Sequence, residues 1–271
     1  MALNTPDAVA HHVSYRADEG VAVIGLHRPG AGNALDTTMR RGLLDAVQRL
    51  HGDGDAVRAV LLTAEGKSFC VGQDLKEHAQ ALGDRPDSAF DSLPHEYNPL
   101  VRALHEIPQP VVVAIEGACV GAGLALALCA DLRVAAEGAR FATAFTGIAL
   151  AADSGLSATL TQAVGPSRAA GLFLLGDRFT ASDALDWGLV HRVVADGRAD
   201  EEAMTLARRL AHGPTRAYHQ VKQLLRGNPG HDLERALASE TVAQDLLGAT
   251  EDHRHAVTAF LERRTPDFQG R

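Results

Sequence analysis

Two glycine-containing turns carry the chemistry that the sequence displays most clearly. The run Phe69-Cys70-Val71-Gly72-Gln73-Asp74-Leu75 ends a β-rich stretch from Val60 to Leu75, and Gly117, Gly121, Ala122 and Gly123 punctuate a second, from Val111 to Asp131. Small residues let a ligand come close to the backbone, and N–H groups at a helix start point outward with partial positive charge. Two such turns facing each other can hold one oxyanion. The same glycines also serve simply to let a helix pack tightly on a sheet, and a Gly-x-Gly beside a strand does not distinguish the two uses. A dinucleotide site is not what the second turn spells: Leu126 stands where the third glycine of Gly-x-Gly-x-x-Gly would follow Gly121 and Gly123, and no acidic residue ends a second strand at the usual distance.

Other reactive side chains are less organised. Cys70, Cys119 and Cys129 form no Cys-x-x-Cys pair and read as reduced core residues. The 13 histidines include no His-Glu-x-x-His or comparable ligand spacing, and His253 and His255 fall in a charged helix, so no metal site is expected. A formal charge of −8 and a pI near 5.9 argue against a duplex nucleic-acid partner, which needs a basic face to replace phosphate counterions. Met1 to His12 lack the basic start and apolar stretch of a secretory signal. The most apolar run, Gly117 to Ala130 between Glu116 and Asp131, is shorter than the roughly 20 residues of a spanning helix. A soluble, cytoplasmic protein with no membrane association is the expectation.

The elements that must position the turns read as mixed α/β. With 46% hydrophobic and 22% charged residues the chain is ordinary for a globular protein, and 271 residues suit one large core with a helical appendage. Strands are expected at His12 to Tyr15, Val21 to Leu26, Val60 to Leu62, Val111 to Ile115 and Leu132 to Ala135. From Asp36, a plausible N-cap, residues Met39, Leu43, Leu44, Val47 and Leu50 fall on one helix face that can stop near Gly52. Lys76 to Leu93 is polar and reads as a long excursion leading to a helix that holds Tyr97 to Ile107. After Thr180, whose Thr-Ala-Ser-Asp run resembles a capping box, the pattern is almost wholly helical. Strands alternating with helices point to repeated ββα-like or βαβ units.

Several motifs then coincide in one order. Leu26-His27-Arg28-Pro29 with Asn33-Ala34-Leu35, Gly66 to Leu75, Pro110 to Asp131, Phe141 to Gly165 and Ala259 to Arg264 resemble the consecutive signatures of the crotonase (enoyl-CoA hydratase/isomerase) superfamily. Tyr97-Asn98-Pro99-Leu100-Val101, Phe145, Ala152-Asp153-Ser154-Gly155 and Arg264 to Phe268 are most similar to its 1,2-epoxyphenylacetyl-CoA isomerase branch. The resemblance implies an α/β fold, a crotonase-like spiral of repeated ββα units over residues 1–195, followed by a C-terminal helical oligomerisation region, 196–271. It implies homo-trimers or dimers of trimers and an acyl-CoA substrate, with no cofactor beyond the CoA of that substrate.

By position, Val71 and Ala122 would donate the two backbone N–H groups that hold the thioester oxygen. Arg28, Gln73, Asp74 and Leu75 would contact the CoA portion, joined by Phe260 and Arg263, often from an adjacent subunit. The two glutamates of the family's hydratases are matched here by Ala125 and Phe145, neither of which can move a proton. Hydration needs one group to activate water and another to protonate the α-carbon, whereas an allylic isomerisation can run on one base. Asp153, which matches an aspartate of the isomerase branch, is the expected base; its competing role is the N-cap of a helix beginning near Ser154. Ala149, Leu150, Ala151 and Ala152 suggest an apolar surround that raises its pKa. Val71 and Leu156, bulkier than usual at their positions, are expected to reshape the acyl pocket. Glu77, Asp91 and Glu96 are other carboxylates that a hydratase or lyase of this fold would recruit, and a CoA-binding protein without catalysis is the third reading.

Overall fold

The computed structural model describes residues 12–227 and 232–271; the opening stretch read above for a secretory signal lies, apart from His12, outside them. The chain is built by repeating one step: a longer strand, a shorter strand, then a helix. It opens with a hairpin, β1 (Val13–Asp18) and β2 (Val21–Leu26), paired antiparallel from Val13↔Leu26 to Asp18↔Val21. Glu19 and Gly20 make the connection with φ of 48° and 77°, the left-handed pair that a two-residue hairpin turn requires. Helix α1 (Thr37–Asp53) follows; the Asp36 carboxylate accepts from the Met39 N–H at 2.7 Å, and Met39, Leu43, Val47 and Leu50 are buried along one face.

The next steps are β3 (Ala59–Ala64), β4 (Ser68–Cys70), α2 (Leu75–Asp84) and α3 (Asn98–Glu106). After these come β5 (Val111–Ile115), β6 (Ala118–Val120) and α4 (Ala122–Cys129), then β7 (Leu132–Ala136), β8 (Arg140–Ala142), α5 (Leu156–Val164) and α6 (Pro166–Leu175). Strand β9 (Phe179–Thr180), α7 (Ala181–Asp186) and β10 (Arg192–Val194) close the spiral. The capping box expected at Thr180 is present, with Thr180 and Asp183 each bonded to the other's backbone N–H. Helices α8 (Ala199–Ala211), α9 (Thr215–Gly227), α10 (Leu233–Gly248) and α11 (Glu251–Leu261) complete the chain.

The longer strands form a six-stranded sheet, β1-β2-β3-β5-β7-β10, parallel beyond the first hairpin, and the shorter ones a second sheet, β4-β6-β8-β9. Side chains of a strand alternate between faces. Val60, Leu62, Val111, Val113 and Ile115 therefore join the main core with α1, α3 and α4, while Ala59, Leu61, Val112 and Ala114 face Ala199, Ala203, Leu206 and Ala207 of α8. The first helix of the expected oligomerisation region thus covers the outer face of the large sheet.

One element departs from expectation. The polar stretch from Lys76 is not a loop throughout: Asp74 accepts from the N–H groups of Lys76 and Glu77 at 2.9 and 3.2 Å and starts a ten-residue helix, α2. Its strong cap and Leu75, His78 and Leu82 spacing outweigh the polarity of the rest. Among the described residues no helix is long and apolar enough to cross a membrane.

Candidate active site

The strands that precede the two glycine turns are neighbours, β4 pairing in parallel with β6, so the turns emerge side by side. Contact between them is close. A Cβ on Gly72, whose φ is +93°, would sit 2.9 Å from the Val120 carbonyl oxygen and 3.4 Å from the Ala122 nitrogen. A Cβ on Gly123 would lie 2.3 Å from the Cys70 carbonyl oxygen. The glycines therefore let the two turns pack in direct backbone contact.

A cavity of about 550 Å³ opens at this junction, lined by both turns and by Arg28, Thr143, Phe145, Ile148, Leu150 and Asp153. A buried backbone N–H needs a protein, water or ligand partner, and the turn can be accounted for group by group. Val71 N–H donates to the Gly32 carbonyl at 3.1 Å, Gly72 N–H to Cys70 Sγ at 3.4 Å and Asp74 N–H to the Leu35 carbonyl at 3.3 Å, while Leu35 N–H donates to the Gly72 carbonyl at 2.8 Å. This parallel bridge between Leu35 and Gln73 turns the Gln73 N–H away from Leu35 and, among the described residues, leaves it without a protein acceptor. The expected donor Val71 is thus corrected: its N–H is already engaged, and the free one belongs to Gln73. The Val71 side chain lines the cavity instead. Ala122, the first residue of α4, has one of the N–H groups that no intrahelical acceptor can reach, at the positive end of the helix.

Two carboxylates line the cavity, and their surroundings push them apart. Burial works to raise the pKa of Asp74, but the Arg28 guanidinium at 2.7 Å and the N–H groups of Glu77 and Lys76 outweigh it and hold the carboxyl below its usual value. For Asp153 burial prevails and the pKa is raised, with only the Ser154 hydroxyl, donating at 2.8 Å, acting against it. Such divergent pairs are how acid–base roles are distributed in active sites. Asp153 does not cap a helix: α5 begins at Leu156, its N-cap is Gly155, and no side chain caps it. Of the four residues expected to surround Asp153, Leu150 and Ala152 pack against the core, whereas Ala149 and Ala151 are exposed. Ala149 holds φ of +60°, the conformation that explains why glycine suits this position better.

The other carboxylates are committed elsewhere. Glu77 and Glu96 both bind the buried Arg40, at 2.7 and 2.6 Å, and neither these nor Asp91 lines the cavity. Phe145 does line it, and Ala125 is buried in α4. Leu156 is fully buried in the core and not in the cavity wall, so of the two bulky residues expected to reshape the pocket only Val71 reaches it. Arg28 is clamped by Asp74, by Asp36 at 3.2 Å and by the Ala34 carbonyl at 2.9 Å, and Leu75 lies at the cavity rim, about half exposed. Phe260 is 81% exposed, and neither it nor Arg263 reaches the cavity of its own chain.

A serine–histidine–glutamate alignment also exists: Ser14 Oγ lies 2.7 Å from His27 Nε2, and His27 Nδ1 lies 2.9 Å from Glu65. Ser14 is buried and none of the three lines the cavity, so the arrangement ties the ends of β1, β2 and β3 together. Among the described residues no group of three or more histidine, cysteine or acidic side chains is gathered to hold a metal.

A family model for enoyl-CoA hydratase/isomerase matches residues 16–271. The chain belongs to this family. It is 37% identical over 255 residues to 1,2-epoxyphenylacetyl-CoA isomerase of Escherichia coli, covering 94% of this chain and 97% of that protein. It is 40% identical over 261 residues to a protein named "Probable enoyl-CoA hydratase" of Rhodobacter capsulatus, covering 96% and 99%. A crystal structure of a protein named "putative Enoyl-CoA hydratase/isomerase" from Mycobacterium abscessus superposes with a TM-score of 0.93 at 54% identity, over 96% of this chain and all of that one. As a member of the crotonase superfamily, the enzyme has the spiral of ββα steps and helical C-terminal region that its motifs imply.

Proposed function

We propose that this enzyme isomerises an acyl-CoA thioester by moving a double bond through an enolate, with Asp153 as the single base and no cofactor other than the CoA of the substrate. The observation that carries the reading is the division of labour between the two cavity carboxylates: Asp74 is saturated by Arg28 and two N–H groups, and Asp153 alone is raised in pKa and free to exchange a proton. The N–H groups of Gln73 and Ala122 donate to the thioester oxygen, so negative charge that develops there is stabilised more than the neutral carbonyl is. The α-proton then becomes removable by a modest base, which returns it to the γ-carbon. The E. coli relative is also named as an isomerase, of an epoxide-bearing acyl-CoA.

With Phe145 and Ala125 in place of the hydratase glutamates, the described residues that line the cavity hold no second carboxylate free to activate water, since Asp74 is engaged by Arg28. Turnover of 3-hexenoyl-CoA to the 2-enoyl isomer is therefore expected to exceed hydration of crotonyl-CoA by at least about 10²-fold, the contribution of one missing general acid–base group. Efficient hydration of crotonyl-CoA would contradict the proposal.

The exposed Leu225, Leu233, Val242, Leu246, Phe260 and Leu261 of the C-terminal helices are apolar surface of the kind that partner subunits cover. In a trimer, or dimer of trimers, Phe260 and Arg263 would approach a neighbour's CoA. Arg263→Ala is then expected to weaken acyl-CoA binding several-fold, by the loss of one charge-assisted contact to phosphate, with turnover at saturation unchanged. An unaltered Kd in equilibrium titration would remove Arg263 from the CoA site.

A further inference from the structure

Arg40 is the largest side chain among the fully buried residues, and it lies outside the cavity. A buried charge is destabilising unless it is paired and its hydrogen-bonding capacity is filled. Here every donor is used. Nε donates to Glu96 at 2.7 Å, Nη2 to Glu77 at 2.7 Å and to Thr37 Oγ1 at 2.9 Å, and Nη1 to the Tyr97 hydroxyl at 3.3 Å and to the Leu35 carbonyl at 2.7 Å. The guanidinium also lies 4.7 Å above the Tyr97 ring, and the Tyr97 hydroxyl donates to the same Leu35 carbonyl at 3.2 Å.

Leu35 is the residue whose backbone bridges Gln73. Its carbonyl accepts three donors, from Arg40, Tyr97 and Asp74, and its N–H holds the Gly72 carbonyl. Glu77, one of the two counter-charges of Arg40, sits in the first turn of α2, directly after Gln73, and also accepts the Thr37 N–H at 2.7 Å. Arg40 thus fixes Gln73 from both sides, through Leu35 before it in space and through the start of α2 after it in sequence. An alternative in which Arg40 only ties α1 to α3 would need Glu96 and Tyr97 but neither Leu35 nor Glu77.

We infer that Arg40 is a positioning residue for the Gln73 N–H: with Tyr97 it clamps the Leu35 carbonyl, and with Glu77 it clamps the start of α2, so that the peptide between them presents its N–H to the thioester oxygen. The inference rests on the enolate reading above. A misplaced donor stabilises the enolate less but leaves the body of the CoA thioester bound, so the role is in turnover and not in affinity.

The test uses the full-length enzyme with 2,4-hexadienoyl-CoA, whose conjugated thioester absorbs further to the red when its carbonyl is polarised. Arg40→Lys keeps the charge and loses the fork that reaches Leu35, Glu77 and Glu96 together. It is expected to bind this probe within about twofold of the parent Kd, to show a smaller red shift and to turn over 3-hexenoyl-CoA about 10- to 100-fold more slowly, part of the loss of one whole donor. Tyr97→Phe, which removes one donor to Leu35 without stranding a charge, is expected to change both readouts in the same direction by less, and decides the matter alone if Arg40→Lys does not fold. A full red shift in the folded variants, whether turnover is native or reduced, overturns the inference. The absence of any red shift in the parent enzyme overturns instead the oxyanion reading on which it rests.

Discussion

Asp153→Asn is expected to lower 3-enoyl-CoA isomerisation by roughly 10²- to 10⁴-fold, the range for loss of a positioned base, while acyl-CoA affinity stays near that of the parent. The amide fills the same space, and the Ser154 hydroxyl that donates to Asp153 Oδ1 can donate equally to an asparagine oxygen. The variant's stability adds a second, independent sign. Burial raises the Asp153 pKa in the folded chain, so folding favours the protonated form. That contribution is complete below the unfolded carboxylate's pKa near 4 and is lost as pH rises through the higher folded value. At neutral pH the ionised carboxylate therefore weakens the fold, and the asparagine variant should melt at or above the parent temperature, with the difference vanishing in acid. Parent kcat/KM should in turn rise with pH through a value above the ordinary aspartate range, because only ionised Asp153 can take a proton. Thermal melts beside turnover at several pH values check both; near-native turnover of the variant would remove Asp153 from the chemistry.

Gly123→Ala attacks the same site from its scaffold. The added methyl would meet the Cys70 carbonyl oxygen at 2.3 Å, Cys70 Cβ at 2.8 Å and the Cys70 carbonyl carbon at 2.9 Å, so α4 must withdraw from the end of β4. Overpacking of this kind costs about 1–3 kcal/mol, and the contact is with backbone, which cannot rotate away. Because Gln73 and Ala122 sit on the two pieces being forced apart, a displacement of about 1 Å is expected to reduce turnover at least 10²-fold as well. Gly83→Ala in α2, where nothing lies within 4 Å, is the control and should be neutral or slightly stabilising. A Gly123→Ala enzyme with native melting temperature and native turnover would show that the two turns need not meet as closely as described.

Much of the scaffold was legible in the sequence because it follows periodicity and capping. Asp36 and the Met39 to Leu50 stripe gave α1, the Val21 to Leu26 run and the continuous apolar runs at Val60 and Val111 gave β2, β3 and β5, and the Thr180 run gave the box that starts α7. The hairpin was read short, since Arg16 to Asp18 carry no hydrophobic signal and are held in β1 by pairing with β2. Helix α2 was missed because most of its faces are polar and its cap, Asp74, lies inside the glycine motif.

At the site, the motif located the turn but not which peptide in it is free. That depends on Gly32 capturing the Val71 N–H and Leu35 bridging Gln73, pairings between segments about 40 residues apart that no local pattern records. Likewise, the commitments of Glu77 and Glu96 to Arg40 join α1 to the first turn of α2 and to the turn that precedes α3. Phe260 and Arg263 could not be placed by periodicity, because their expected partner is on another subunit.

The most direct test of the central claim is a crystal structure of the Asp153→Asn enzyme with 3-hexenoyl-CoA, which the variant should bind and not convert. The thioester oxygen is expected about 3 Å from both the Gln73 and the Ala122 nitrogens, with the residue 153 amide against the α- and γ-carbons of the acyl chain. A carbonyl held by Val71 or by a side chain, or an acyl chain whose α-carbon faces a different carboxylate, would contradict it.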